Sequence, residues 1–309
     1  MSGSPFRAPV MWVTGNRWFR RMATGALGRP LASRFVAGET LPEAMVAAEE
    51  LRGRGIATML DHLGENVSAP EQAADAAKAY VRALEAIGGA GEGLDAAISI
   101  KLSQLGLDFS TELCVAHVER VLEAAAGVGR IVMIDMESHA YVDRTLAVFR
   151  DLRDRHDRVG VCVQSYLRRT ASDVKELPPA SMIRLVKGAY LEPHELVFTE
   201  RREVDRSFRS LFVALIEAGH RVHVATHDPR LIEGAKQYVQ RHGLDPSRVE
   251  YQMLFGIRRD LQRRLAAEEL PVRVYVPYGA EWYPYLTRRL AERPANMWFF
   301  LSNLVRSGR

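Results

Sequence analysis

Short apolar runs rich in β-branched and aliphatic residues recur along the chain at spacings that suit buried strands. Eight such runs cover residues 55–60, 96–102, 131–136, 159–163, 182–186, 221–226, 249–254 and 272–276. Most of them are continuously apolar and do not alternate with polar residues, which is typical of strands buried on both faces of a parallel sheet. The pattern therefore predicts eight parallel strands.

The segments between these runs carry apolar residues three or four positions apart, which is the period of a helix that packs one face against a core. They are residues 70–87, 113–126, 141–156, 203–218, 229–242 and 257–269. Consecutive runs start 23 to 41 residues apart. This spacing is close to the average in a (β/α)8 barrel of about 250 residues. We therefore predict an α/β fold, with the eight strands closed into a TIM-like barrel.

A doubly wound nucleotide-binding sheet is the alternative arrangement, and it would place a GxGxxG sequence directly after its first strand. The only glycine cluster, residues 88–93, has a different spacing and precedes a predicted strand. The sequence also contains no Walker, GxSxG or HExxH motif, so it gives no support to P-loop, α/β-hydrolase or zincin chemistry. The barrel is the preferred fold.

The composition limits the class of protein further. The chain has 309 residues, 47% of them hydrophobic and 26% charged, as in a water-soluble globule of one large domain or two at most. The longest stretch without a charged residue, 294–305, has 12 residues, whereas a membrane-spanning helix needs roughly 20. Cys114 and Cys162 lack metal-ligand spacing. We therefore predict no disulfide framework and no metal site, and expect a reducing, cytoplasmic location.

The positive charge is concentrated at the N-terminus. The net charge is only +4, and residues 1–38 contain six arginines and no acidic residue. We interpret residues 1–40 as a basic helical arm exposed to solvent, followed by a catalytic domain over residues 41–309. A weak contact with anionic lipid at the inner face of the cell membrane and a mitochondrial transit segment are the alternatives. The small overall excess does not indicate a nucleic-acid partner.

Polar residues stand at or near the ends of the predicted strands, where functional groups lie in a barrel. They are Lys101, Asp135, Met136 and Glu137, Gln164, Arg184 and Lys187, Thr226, His227 and Asp228, Gln252, and Tyr275 and Tyr278. One such residue alone could be structural, but so many at one rim indicate a site. Asp135 and Glu137 could be a glycosidase-like pair, and Lys101 or Lys187 a Schiff-base lysine of an aldolase.

The C-terminal segment adds a candidate anion site. Pro284 suits a first helical turn, after which Tyr285, Arg288, Arg289 and Glu292 fall on one helical face. Two guanidinium groups on one face can bind a carboxylate or phosphate through paired hydrogen bonds, and Glu292 can hold them in place. An exposed basic helix is the alternative interpretation.

Four strings resemble the proline dehydrogenase family in its short, monofunctional bacterial form. They are SIKLS at 99–103, RLVKGAY at 184–190, ATH at 225–227 and YLTRRL at 285–290, and the resemblance covers roughly residues 40–305. It implies a distorted (β/α)8 barrel with extra N-terminal helices and a C-terminal helix over the barrel mouth. It also implies FAD as cofactor, oxidation of L-proline to Δ1-pyrroline-5-carboxylate, a quinone electron acceptor and functional coupling to pyrroline-5-carboxylate dehydrogenase.

The resemblance also assigns expected roles to individual residues. Asp135 and Arg184 are expected to be catalytic, and Glu292 to support the arginines. The expected substrate-binding residues are Lys101, Leu254, Tyr275, Tyr285, Arg288 and Arg289. The expected flavin contacts are Met136, Gln164, Arg184, Val186, Lys187, Gly188, Ala189, Thr226 and His227. Two positions depart from the family pattern, because Leu191 stands where some members have Trp and Asp228 where others have Asn.

Overall fold

The computed structural model describes residues 33–65, 67–91, 93–283 and 285. Most of the predicted N-terminal arm, and the predicted C-terminal helix with Arg288, Arg289 and Glu292, therefore lie outside the described residues. The boundary at residue 40 stays a prediction. Among the described helices, none combines the length and the apolar composition that crossing a membrane requires.

Eight parallel strands form a closed barrel in the order β1 to β8, each paired with its neighbours in sequence and β8 paired with β1. The strands are β1 (Ala57–His62), β2 (Ala96–Ile100), β3 (Val132–Ile134), β4 (Val159–Gln164), β5 (Met182–Val186), β6 (Arg221–Ala225), β7 (Val249–Leu254) and β8 (Val272–Tyr278). All eight predicted strands are present, and the predicted barrel is confirmed.

Eight α-helices in the described part of the chain surround the barrel. They are α1 (Leu41–Arg52), α2 (Pro70–Gly89), α3 (Thr111–Gly127), α4 (Val142–Arg153), α5 (Thr170–Asp173), α6 (Arg201–Glu217), α7 (Pro229–Arg241) and α8 (Arg259–Ala267). The six helices predicted from the apolar period are α2, α3, α4, α6, α7 and α8. The two additional helices are α1 and α5. Helix α1 begins with a capping box in which Thr40 and Glu43 bond each other's backbone.

The apolar core lies in two layers. The larger layer fills the space between the strands and the surrounding helices, and it includes the fully buried side chains of Phe149 and Tyr80. A smaller cluster of Met59, Ala97, Met133 and Met182 fills part of the barrel interior. This second layer explains why the strands are apolar on both faces, since each face meets a different core.

The barrel interior also contains a polar cluster on β6, β7 and β8. Arg273 Nε donates to Glu250 Oε1 at 2.9 Å, and Gln252 Nε2 donates to the same oxygen at 2.6 Å and bonds His223 Nδ1 at 2.9 Å. Burial alone would raise the pKa of Glu250, but Arg273 and His223 lower that pKa to about 2. The carboxylate of Glu250 is therefore ionised and paired inside the protein at neutral pH.

We expect Glu250→Gln to lower the free energy of unfolding by about 2 kcal/mol at pH 7, because the buried Arg273 then keeps only the exposed carboxylate of Asp95 as an ion-pair partner. Urea unfolding measures this. Because the folded-state pKa is depressed, the pair stabilises the protein above the ordinary pKa of 4.5 and loses this effect as the pH falls towards about 2. The difference in the free energy of unfolding between wild type and Glu250→Gln should narrow below about pH 5.

The control is Glu176→Gln, which breaks a pair with Arg150 at the same distance of 2.9 Å. The side chains of that pair are 36% and 70% exposed, against 6% and 15% for Arg273 and Glu250. Because solvent screens this pair, Glu176→Gln should lower the free energy of unfolding by less than about 1 kcal/mol. Equal losses in the two variants would contradict a stabilising role for the interior pair.

Candidate active site at the carboxyl end of the barrel

A cavity of about 1050 Å³ opens at the carboxyl ends of the strands. The predicted site residues that fall within the described residues all line it: Lys101, Asp135, Met136, Gln164, Arg184, Val186, Lys187, Gly188, Ala189, Thr226, His227, Leu254, Tyr275 and Tyr285. The fold therefore brings residues from four strands, from the loops that follow strands and from the C-terminal segment into one space. Their chemical roles stay predictions at this point.

The deepest part of the cavity holds a network of charged groups. Lys101 Nζ lies 2.7 Å from Asp61 Oδ1 and 3.6 Å from Asp135 Oδ2. Asp135 Oδ2 also accepts a hydrogen bond from the Tyr275 hydroxyl at 2.7 Å, and Asp135 Oδ1 forms an ion pair with Arg184. Two cations and two carboxylates thus neutralise one another in a space with little access to water.

The guanidinium group of Arg184 is fixed on three sides, although it lies within the apolar strand β5. Its Nε donates to Gln252 Oε1 at 2.8 Å, and Nη1 donates to Ser99 Oγ at 3.0 Å. Its Nη2 lies 2.7 Å from the sulfur of Met59. Arg184 is only 4% exposed, so it presents a positive charge of fixed orientation to the cavity.

The charges of this network set its protonation states. Burial opposes ionisation of Asp135, but Arg184 and Lys101 lower the pKa of that carboxyl below its ordinary value. Burial likewise opposes the charge of Lys101, yet Asp61, Tyr275 and Asp135 raise the pKa of Lys101 well above its ordinary value. A Schiff-base lysine needs a lowered pKa to be nucleophilic, so this environment disfavours the aldolase alternative at Lys101.

The glycosidase alternative is also disfavoured, because Asp135 and Glu137 face different partners. Glu137 accepts hydrogen bonds from the backbone N–H and the hydroxyl of Ser103, and the cavity lining does not include it. Asp135 is held by Arg184 and Tyr275. The two carboxylates therefore do not flank one common space, as a glycosidase pair does.

A second region of the cavity follows β5. Gly188 has a φ of 110°, and a Cβ at this position would stand 2.0 Å from an atom of the Tyr166 ring. Glycine is therefore required here by the close passage of the backbone over Tyr166. The next residues are anchored by Glu192, which accepts from the Tyr166 hydroxyl at 3.4 Å and pairs with His139.

Gln164 and His227 present defined hydrogen-bonding groups in this second region. The side-chain amide of Gln164 donates to the carbonyl groups of Met136 and Glu137, whereas its Oε1 is buried and has no hydrogen-bond partner among the described residues. The backbone N–H of Leu254 donates to His227 Nε2 at 3.0 Å, which places the ring proton of neutral His227 on Nδ1. Gln164 therefore offers a buried acceptor to a bound ligand.

A cluster of opposite charges forms the outer rim. Asp228 Oδ2 lies 3.2 Å from Lys187 Nζ, 3.2 Å from Arg201 Nη2 and 3.3 Å from Arg230 Nη2. Asp228 also caps α7 by accepting from the backbone N–H of Arg230. Burial opposes its ionisation, but Arg230 and Lys187 hold the pKa of Asp228 well below its ordinary range. Asp205 also lines the cavity and pairs with the same three cations. The rim thus joins three cations to two carboxylates and a helix N-terminus.

Asp61 and Ser99 belong to the site but were not predicted from the sequence. Asp61 was missed because the first strand was predicted to end at residue 60, whereas β1 continues to His62. An acidic residue at the end of an otherwise apolar run is the signal that a longer strand would have given. Ser99 lies within β2, where its inward orientation decides its role.

Comparison with known proteins gives a consistent result. The proline dehydrogenase family model matches residues 44–301. The chain is 37% identical to proline dehydrogenase 1 of Bacillus subtilis subsp. natto over 301 residues, covering 97% of this chain and 99% of that protein. It is 40% identical to a proline dehydrogenase of Deinococcus radiodurans over 284 residues, covering 89% and 90% of the two chains.

Among solved structures, proline utilization A from Bdellovibrio bacteriovorus, inactivated by N-propargylglycine, has a TM-score of 0.79 at 22% identity. The match covers 92% of this chain and 37% of that larger one, and it supports the barrel fold. The family model spans most of the chain, and the two bacterial relatives match it along nearly their whole length. This chain therefore belongs to the proline dehydrogenase family.

Proposed function

We propose that this protein oxidises L-proline to Δ1-pyrroline-5-carboxylate with FAD as cofactor and passes the electrons to a quinone. Family membership supports the reaction class. The observation that carries the proposal is the network of Lys101, Asp135, Arg184 and Tyr275 at the deep end of the cavity. It provides fixed positive charge and a closed, water-poor space, and both favour transfer of a hydride from a small charged substrate.

The residues around the second region fit a flavin. The unpaired Oε1 of Gln164 can accept from an N–H group of an isoalloxazine ring, and Arg184 offers a cation. A bound flavin supplies the hydride acceptor, and a nearby positive charge stabilises its reduced, anionic form. The residues proposed to hold it are Met136, Gln164, Arg184, Val186, Lys187, Gly188, Ala189, Thr226 and His227.

The proposed substrate site joins the network to the C-terminal segment. Lys101 and, outside the described residues, Arg288 and Arg289 would bind the proline carboxylate, and Glu292 would hold the arginines. Leu254, Tyr275 and Tyr285 line the cavity and would enclose the ring. Carboxylates in closed sites are commonly bound by such charge-assisted contacts. Asp135 would act by fixing Tyr275 and Arg184.

The proposed partners and location follow from the chemistry of the proposed reaction. The product is a reactive imine that a second enzyme must consume, which supports functional coupling to a pyrroline-5-carboxylate dehydrogenase. A quinone acceptor would bring the protein to a membrane. The basic arm over residues 1–40, distinct from a catalytic domain over residues 41–309, would provide a contact with anionic lipid from the cytoplasmic side.

We expect the purified protein, reconstituted with FAD, to be yellow and to lose its flavin absorbance when L-proline is added without oxygen. Cyclopentanecarboxylate has the same ring size and carboxylate but no amine, so it should leave the flavin oxidised. Spectrophotometry in an anaerobic cuvette distinguishes the two results. A protein that binds no flavin, or a bound flavin that L-proline does not bleach, would contradict the proposed function.

We expect Arg184→Gln to make the flavin midpoint potential more negative, because the variant no longer stabilises the reduced, anionic cofactor. The loss of one charge-assisted contact corresponds to about 30 to 60 mV for a two-electron couple. Anaerobic dye titration measures the potential. Arg241→Gln, at an exposed position of α7, is the control. An unchanged potential in Arg184→Gln would assign Arg184 to structure alone.

We expect Asp228→Asn to strengthen FAD binding about fivefold, because it removes a negative charge from the rim where the cofactor diphosphate is proposed to bind. Asparagine is as good a helix cap as aspartate, so α7 should keep its start. Fluorescence titration of the apoprotein with FAD measures the affinity. Asp245→Asn changes another, exposed aspartate cap and is the control. Weaker binding in Asp228→Asn would show that the rim does not meet the diphosphate.

A further inference from the structure

Asp61 is the most unusual carboxylate in the described part of the chain. It lies in β1, its side chain is 0% exposed to solvent, and it nevertheless lines the cavity. Its Oδ1 is paired with Lys101 Nζ at 2.7 Å. Its Oδ2 is buried and has no hydrogen-bond partner among the described residues. A buried carboxylate oxygen without a partner is costly, so this atom calls for a donor from a ligand.

The other carboxylate of the network cannot take that donor in the same way. Asp135 Oδ1 accepts from Ser99 and Arg184, and Asp135 Oδ2 accepts from Tyr275 and lies near Lys101. L-Proline at neutral pH is a zwitterion with a carboxylate and a ring ammonium. The cations of the site suit the carboxylate, which leaves Asp61 Oδ2 as the available acceptor for the ammonium.

Resting on the proposed function, we propose that Asp61 is a catalytic residue that binds the ring ammonium of the substrate and removes its proton. The N–H bond breaks, an O–H bond forms at Oδ2, and the electron pair stays on nitrogen. That lone pair then becomes the second bond of C=N as the hydride leaves C5 for the flavin of the proposed function. A protonated amine has no lone pair to form this bond, so removal of the proton must come first.

The surroundings of Asp61 suit a base. Burial raises the pKa of the Asp61 carboxyl, and the positive charge of Lys101 opposes this effect. The titratable groups of the neighbouring elements that bear on Asp61 are Lys101, Asp135, Tyr275, Tyr278, Tyr80 and His62. Burial lowers the pKa of His62, and raises that of Tyr80, Tyr275 and Tyr278, so these four groups are neutral near pH 7.

The test is Asp61→Asn, which keeps the size of the side chain and an oxygen acceptor for Lys101. Flavin difference spectra measure the affinities for L-proline and for cyclopentanecarboxylate. In the L-proline titration the flavin is reduced beforehand, so that no turnover occurs. We expect L-proline to bind about tenfold to a hundredfold more weakly, because a charged hydrogen-bond partner is lost. Cyclopentanecarboxylate, which has no ammonium, should bind within about twofold of wild type or more tightly.

The pH profile gives a second readout that a purely structural role would not move. We expect turnover of Asp61→Asn to fall about 10² to 10⁴-fold at pH 7. Its kcat/KM should then rise about tenfold per pH unit, because only substrate that has already lost its proton, with a pKa near that of Lys at about 10.4, can react. Asp157→Asn, at a side chain 96% exposed, is the matched control and should behave as wild type.

Lys101→Met is the comparison variant. It removes the proposed carboxylate-binding cation, so it should weaken the binding of both ligands. If Asp61→Asn does not fold, calorimetry on the wild-type protein keeps the proposal testable. In buffers of different ionisation enthalpy, the protein should take up a proton when it binds cyclopentanecarboxylate but not when it binds L-proline. Equal weakening of both ligands in Asp61→Asn, an unchanged pH profile, or equal proton uptake would each overturn the proposal. A wild-type protein that does not oxidise L-proline would instead overturn the proposed function.

Discussion

The site depends on mutual neutralisation of charges that have little access to water. Lys101 and Arg184 are 6% and 4% exposed, and each is compensated by a carboxylate within the same network. An isolated charge at such depth would be neutralised by a shift of its pKa or would destabilise the fold. The four strands that carry these groups, or directly precede them, must therefore keep their register in the sheet. The geometry of the proposed catalytic groups is a consequence of this electrostatic requirement.

The same requirement extends down through the barrel. Gln252 bonds Arg184 with its Oε1 and bonds His223 and Glu250 with its Nε2, and Glu250 in turn pairs with Arg273. The orientation of the cavity arginine is thus coupled by continuous hydrogen bonds to a pair deep inside the barrel. An apolar interior would fill the same space, but it would leave Arg184 Nε without an acceptor. The polar interior therefore positions a functional group as well as supporting the sheet.

The fold and much of the site could be predicted from the sequence because parallel strands buried on both faces leave a strong apolar signal. Polar residues at strand ends, such as Lys101 and Gln164, stand out against it. Asp61 did not stand out, because a strand end predicted two residues early hid it. The reason for Gly188 could not be predicted either, because the Tyr166 ring packs against its backbone only in the folded protein. Pairing among side chains is a three-dimensional property that spacing does not specify.

The two ends of the cavity differ in how strongly their charges act. Around Asp61 and Arg184 water is nearly excluded, so each interaction is strong and a single substitution changes chemistry. At the rim, Arg201 and Arg230 are 71% and 64% exposed, so solvent and salt weaken their pairs with Asp228. The deep end is therefore suited to fixing reacting atoms, whereas the rim is suited to adjustable retention of a charged cofactor. A change such as aspartate at position 228 can then alter the affinity for the proposed cofactor without disturbing the proposed catalytic groups.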